Sequence, residues 1–384
     1  VTSPCTPALL KINGRILAAD NIRFWCMFSI VALHGLAVFS LLPLQTSAFS
    51  DALATLFKFA TIGFFLISGL LLQHDLERLS SLALLSKRIR KVLLPWTFWC
   101  ALFIAFLTAT NHAEHRGPFE HGTSFAAGLL HEAIRGLTTT SLWFVPNLLI
   151  GLAILLLFRR HLESLRLGAV LLAANLFYTV NVYAHWVAPD HPRALFAFVI
   201  YLWLGRFAAT RLPQLAMLLE RISTPLLLSA TLLAAAAAFA EAQLLHHLHS
   251  TDALNTLRPT NQLFSILVVL CIAKLRRSTW PGFVDIPRHI FGIYLSHALL
   301  VSIVISLIRR MLELPAFAAL QASVPLRFTL WIAATCITWT SGFLLSRSIA
   351  ASPRLCWMQG LTPPPRAVEV PSRELPEGAA LFIG

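Results

Sequence analysis

Residues 21–35 read NIRFWCMFSIVALHG. From Phe24 onward the run suits a helix in lipid, yet Arg23 opens it and His34 interrupts it. Eleven residues separate these two. That is about three turns plus roughly 20°, so both side chains lie on one helix face, about 16 Å apart along the axis. The hydrocarbon core of a bilayer is about 30 Å thick, so with Arg23 at one boundary His34 stands near the midplane. Asp20 precedes Arg23 by one turn and can pair with it. An ionisable residue at that depth is costly and marks a functional site by default; the plainer reading is a neutral imidazole bonded to a neighbouring helix.

The rest of the chain shares this character. Hydrophobic residues make up 57% of its 384 residues and charged residues 12%, and mean hydropathy is +0.73. Soluble domains carry about 25% charged residues, so a water-soluble enzyme is excluded in favour of an all-α, polytopic membrane bundle. Ten apolar runs are long enough to count as spans: 22–41, 53–73, 92–110, 142–158, 167–183, 194–210, 224–241, 257–275, 289–308 and 328–346. The run 167–183 carries Asn175 and Asn181. No cleaved signal segment is expected before the first span.

The net charge of +13 does not point to nucleic acid, because the basic residues gather on one side. With both termini cytoplasmic, the inner segments hold 21 Lys and Arg and the outer loops 7, as the positive-inside rule requires. The outer loop 309–327, with Arg309, Arg310 and Arg327, resists that pattern. The domain division is a cytoplasmic segment 1–15, a transmembrane unit 16–350 and a disordered cytoplasmic tail 351–384, rich in Pro, Glu and Arg. Six Cys form no CxxC pair, and the histidines of the outer loops lack HExxH or paired spacing, so no metal is expected.

Further polar features sit where lipid would exclude them. FGIYLSHALLV (291–301) places Tyr294 and His297 one turn apart, with His297 about 14 Å above Arg288. SKRIRKVLLP (86–95) gathers Lys87, Arg88, Arg90 and Lys91, suited to anchoring on anionic lipid or to gripping phosphate. TIGFFLISGLLLQ (61–73) sets Gly63, Ser68 and Gly69 in a bulky helix, a pattern for close helix approach. Lys58 is read as snorkelling at the outer boundary.

Taken in order, DNIRFWCMFSIVALHG (20–35), FFLISGLLL (64–72), KRIRKVLLP (87–95), LWFVPNLL (142–149), YLWLGR (201–206) and IYLSH (293–297) resemble the acyltransferase-3 family of integral-membrane O-acyltransferases. The likeness covers about 16–346. One departure is Lys91, which stands where the family commonly has a second Arg. The resemblance implies transfer of an acetyl group from cytoplasmic acetyl-CoA to a sugar hydroxyl of an exopolysaccharide or other lipid-linked glycan in the bacterial inner membrane. Asp20, Arg23, His34, Tyr294 and His297 would be catalytic. Ser68, Arg88, Arg90 and Lys91 would meet the acyl donor. Expected partners are the saccharide acceptor, membrane lipid and polysaccharide-assembly proteins. The imidazole would act as general base or as acyl-carrying nucleophile. The competing reading is a transporter or flippase for a polyprenyl-linked saccharide, with buried His and Arg as a proton relay.

Overall fold

The computed structural model describes residues 16–41, 47–120, 122–139, 141–188, 191, 193–314 and 324–363. The segment 1–15, His121, the stretch 315–323 of the outer loop and the tail 364–384 lie outside them. Every regular element among the described residues is helical, as lipid demands of a backbone that must satisfy its own hydrogen bonds. In chain order the helices are α1 (Leu17–Gly35), α2 (Ser47–Phe57), α3 (Phe59–Arg78), α4 (Ser81–Arg88), α5 (Leu94–Ala113), α6 (Phe125–Thr139), α7 (Phe144–Leu157), α8 (Leu165–Ala184), α9 (Val199–Thr210), α10 (Leu212–Arg221), α11 (Thr224–His247), α12 (Pro259–Ala273), α13 (Ile286–Leu312) and α14 (Val324–Ala351).

Among the described residues seven helical stretches are long and apolar enough to cross a membrane, and α7, α9 and α12 are shorter apolar helices at three of the expected spans. Starts follow local chemistry. Ser80 and Ser223 cap α4 and α11 through their hydroxyls, and Pro95, Pro259 and Pro287 occupy first turns, where a missing N–H costs least. The asparagines of 167–183 do not break α8. Asn175 donates to the Ala197 carbonyl at 2.9 Å, and Asn181 holds both backbone groups of Val187, closing the helix end. The stretch 111–141, read from the sequence as an outer loop, contains α6, which packs along α5 and leaves Phe125, Leu130 and Ile134 exposed.

The stretches containing α1, α3 and α13 bury 56% of their most apolar windows, whereas those of α8 and α11 bury 33%. These three lie in the interior with α9, whose residues are mostly buried, while α8 and α11 are more exposed. Lipid tails are as apolar as leucine, so burying leucine here gains little; association rests on close packing. The tightest crossing is α3 on α9. A Cβ on Gly69 would overlap the Leu202 carbonyl, and one on Gly205 would overlap the Leu66 carbonyl. The glycines of FFLISGLLL and YLWLGR thus serve one contact.

Past Ala351 the chain stays packed through Leu361. A turn at Cys356–Gln359 seats against α5, α13 and α14, with the Trp99 indole donating to the Met358 carbonyl at 2.9 Å. Disorder is therefore not the state of 352–361. Hydrogen bonds hold this part: Gln359 donates to the Ser346 carbonyl at 2.8 Å and accepts from its hydroxyl at 2.7 Å.

Candidate active site

Helix α1 is clamped at both ends, which sets the height of its polar residues. Near its start, Asn21 accepts from the Thr279 amide at 3.0 Å and hydroxyl at 2.8 Å, and donates to the Arg277 carbonyl at 3.0 Å. Near its end, the Trp331 indole of α14 donates to the Ala32 carbonyl at 2.9 Å. Arg23 reaches back one turn to Asp20 at 3.2 Å, and Asp20 is buried. A half-exposed guanidinium is thereby held at the foot of the helix face that carries His34.

At the other end of that face, the His34 ring lies 5.3 Å from the His297 ring, centroid to centroid. The His297 ring lies 5.4 Å from that of Tyr294. The Nδ1 of His297 bonds to the Tyr294 backbone carbonyl. A carbonyl oxygen can only accept, so Nδ1 carries the proton and Nε2 keeps its lone pair. That Nε2 is buried with no hydrogen-bond partner, and His297 is 1% exposed. His34 is half-buried, so it is the more accessible ring of the pair.

The other sequence segments converge on the same pair. Phe65 of α3 meets Phe144 at 4.9 Å, and Phe144 meets Tyr294 at 5.6 Å. An unbroken line of rings therefore runs from FFLISG through LWF and IYLSH to His34. Local sequence explains the line: Tyr294 and His297 sit one turn apart on α13, and Phe144 opens α7.

The basic segment looks different in three dimensions. A five-residue wide turn, Ile89–Leu93, joins α4 to α5. Asp75 of α3 takes Lys87 at 2.7 Å and Arg88 at 2.9 Å. Arg88 is thus occupied by a carboxylate, while Arg90 and Lys91 are exposed on the wide turn. Gly360 lies so close over the Lys91 carbonyl that a Cβ there would overlap it. Ser68 is half-buried on α3 beside the Gly69 crossing and makes no hydrogen bond among the described residues.

A family model described as an acyltransferase domain matches residues 16–347, nearly the whole chain. The chain belongs to the acyltransferase-3 family. It is a membrane acyltransferase, and the rings gathered around His34 lie inside the matched region. No curated protein and no solved structure matches the chain significantly.

Two features of this acyltransferase escaped the sequence reading. Lys58 does not sit on a plain outer edge: it occupies the break between α2 and α3, half-buried, within electrostatic reach of His34, His191, Asp252 and Arg258. A charge inside an apolar run was the available signal. His191, one of many histidines in outer loops, stacks on Trp143 at 4.7 Å and bonds Thr256 at 2.9 Å. Among the described residues no group of three or more His, Cys, Asp or Glu could hold a metal ion.

Proposed function

We propose that this membrane acyltransferase moves an acetyl group from cytoplasmic acetyl-CoA to a sugar hydroxyl of an exopolysaccharide or other lipid-linked surface glycan, with His34 as the reacting imidazole. The chain would cross the bacterial inner membrane ten times, with both termini inside. The juxtaposition of His34 and His297 carries this reading.

A neutral imidazole at His34 takes the proton from the sugar hydroxyl as its oxygen attacks the thioester carbonyl. The tetrahedral intermediate then expels the CoA thiolate, which receives the proton. His297 acts as the positioning residue: its Nε2, an acceptor by tautomer in the neutral ring, belongs to the ring paired with His34 and would accept a hydrogen bond from the His34 imidazolium. Arg90 and Lys91 would meet CoA phosphates at the inner surface, with Arg23 further along the donor's route.

Ten spans are supported by the three short apolar helices, each at an expected crossing. The orientation gains from Glu114, which takes Arg309 at 3.1 Å and Arg310 at 3.2 Å. Glu114 also pairs with Arg116 at 3.4 Å, so this one carboxylate offsets a single charge of the cluster and lessens the objection to an outer position. The described carboxylates at span edges are occupied, Asp51 by His246 and Gln243, Glu241 by Tyr183 and Thr260, which disfavours a carboxylate proton relay and hence the transporter reading.

Mass spectrometry of surface glycans from cells with and without the gene tests this function. Loss of acetyl mass from one glycan is expected. An unchanged acetyl content, with CoA-independent movement of a lipid-linked sugar by the purified protein, would favour the transporter instead.

A further inference from the structure

A cavity of about 690 Å³ opens behind α1, between the ends of α10 and α12 and the start of α11. Ala18 and Trp25 of α1 line it. They are seven residues apart, about two turns, and so share a helix face. Arg23 follows Ala18 by five residues, which turns it about 140° away, and His34 shares the face of Arg23. The cavity is therefore separate from the candidate active site.

Much of its wall is apolar: Leu219, Leu227, Leu228 and Ile272. Its size falls within the range of about 300–1,000 Å³ common to small-molecule sites. Leu228 is 49% exposed, and Leu232, one turn further along α11, is 69% exposed. The wall thus runs on into the outward face of a helix long enough to cross a membrane, a face that lipid chains cover.

The rest of the lining is polar and basic. Glu220 and Arg276 pair at 3.4 Å, both exposed. Lys274 donates to the Leu219 carbonyl at 3.1 Å and to the Ile222 carbonyl, so it ties α12 to the end of α10 without a carboxylate. Arg221 and Arg277 adjoin Glu220 and Arg276 in the chain, are exposed, and have no carboxylate partner among the described residues. Asp20, the carboxylate of α1, is committed to Arg23. Four cations therefore stand here against Glu220, and counter-charge is short even with its pair to Arg276 counted. Helix α10 also leaves Leu215, Met217 and Leu218 exposed, with Arg211 and Arg221 at its ends. Exposed apolar residues between basic ends suit a short helix lying at headgroup depth.

We propose that this cavity is a site for an anionic glycerophospholipid. One acyl chain lies along Leu227, Leu228 and Ile272, and the phosphate meets Arg276 with Arg221 and Arg277. Basic pockets between helices at a membrane surface take such headgroups. A soluble anion would leave the apolar wall uncovered, and a zwitterionic lipid would leave the surplus positive charge unanswered. The site needs only a membrane-embedded bundle and does not depend on which acyl group the protein transfers.

The test reads Cys271, which lines the cavity and is partly exposed. The full chain in detergent, stripped of lipid, is treated with N-ethylmaleimide and mapped by mass spectrometry, with the exposed Cys336 as internal reference. Phosphatidylglycerol in mixed micelles should slow alkylation of Cys271 severalfold at concentrations where phosphatidylcholine does little, and Cys336 should not distinguish the two lipids. Arg276→Ala and Arg277→Ala should each raise the phosphatidylglycerol concentration for half-protection about fivefold. Equal protection by both lipids, or protection by neither, overturns the proposal. Protection by glycerol 1-phosphate alone also overturns it, because the site would then serve a soluble anion. So does full protection in both Arg variants. A Cys271 that stays inert in the stripped protein overturns it too, since the cavity would then be closed or filled by the chain's own segment 1–15.

Discussion

His34 and His297 come from helices far apart in the chain, and their ring centroids stand 5.3 Å apart, the planes tilted by 42°. Only one of the two has a fixed tautomer. His297 is tied through Nδ1 to the Tyr294 carbonyl, while His34 is more open and makes no hydrogen bond among the described residues. That asymmetry assigns different tasks to two chemically identical groups.

The first prediction separates those tasks. His34→Ala should abolish transfer, a loss of about a hundredfold or more if the imidazole is the general base. His297→Gln keeps a hydrogen-bonding side chain, so it should cost less and act mainly on kcat, with a shifted pH–rate profile and an almost unchanged KM for the donor. Steady-state kinetics across pH would show it. Equal losses in both variants with identical pH profiles would contradict the division of labour.

Packing gives the second. Gly69→Ala or Gly205→Ala forces a methyl group into a facing backbone carbonyl that cannot move without separating α3 from α9. Overpacking of this kind costs about 1–3 kcal/mol, and more where backbone must shift. Gly282 has nothing within 4 Å of an added Cβ, so Gly282→Ala serves as the control. Thermal unfolding followed by size-exclusion chromatography should show a clear drop for the first two variants and none for the third.

The third concerns the basic segment. Asp75 already engages both Lys87 and Arg88, its single charge offsetting one of the two, so Arg90→Ala and Lys91→Ala should raise the KM for acetyl-CoA more than Arg88→Ala does. The effect should shrink with added salt, because exposed charges are screened over about 10 Å at 0.1 M. Asp75→Asn should release Arg88 and tighten donor binding. Titration of acetyl-CoA at two ionic strengths checks all four variants.

A fourth follows from the segment beyond α14. Gly360 has a φ of +69° and sits against the Lys91 carbonyl. Gly360→Ala is strained by backbone conformation and by contact together. It should displace the turn that carries Lys91 and raise the donor KM. Limited proteolysis between α4 and α5 should report the loosening.

Much of the site was legible in the sequence because lipid makes polarity conspicuous. Arg23, His34 and His297 stand out against apolar runs, and the pairing of Arg23 with Asp20 is a local, one-turn relation. Partners brought together by folding were not legible. Nothing near Arg88 indicates that Asp75 claims it, and the two crossing glycines belong to segments far apart in sequence. Lys58 was read as snorkelling because a long aliphatic stem allows that near a span end, whereas it sits half-buried at the break between α2 and α3, a break its own sequence does not announce. The tail misled in the opposite sense: its composition suggests disorder, yet Gln359 and the Met358 carbonyl find partners in the bundle.

The most direct test of the central claim follows labelled acetyl from acetyl-CoA, with the purified protein in liposomes and the surface glycan as acceptor. The wild type should pass label to the glycan and release free CoA thiol, and His34→Ala, eluting as the same folded species, should do neither above background. Acetylation at a wild-type rate in His34→Ala would contradict the account.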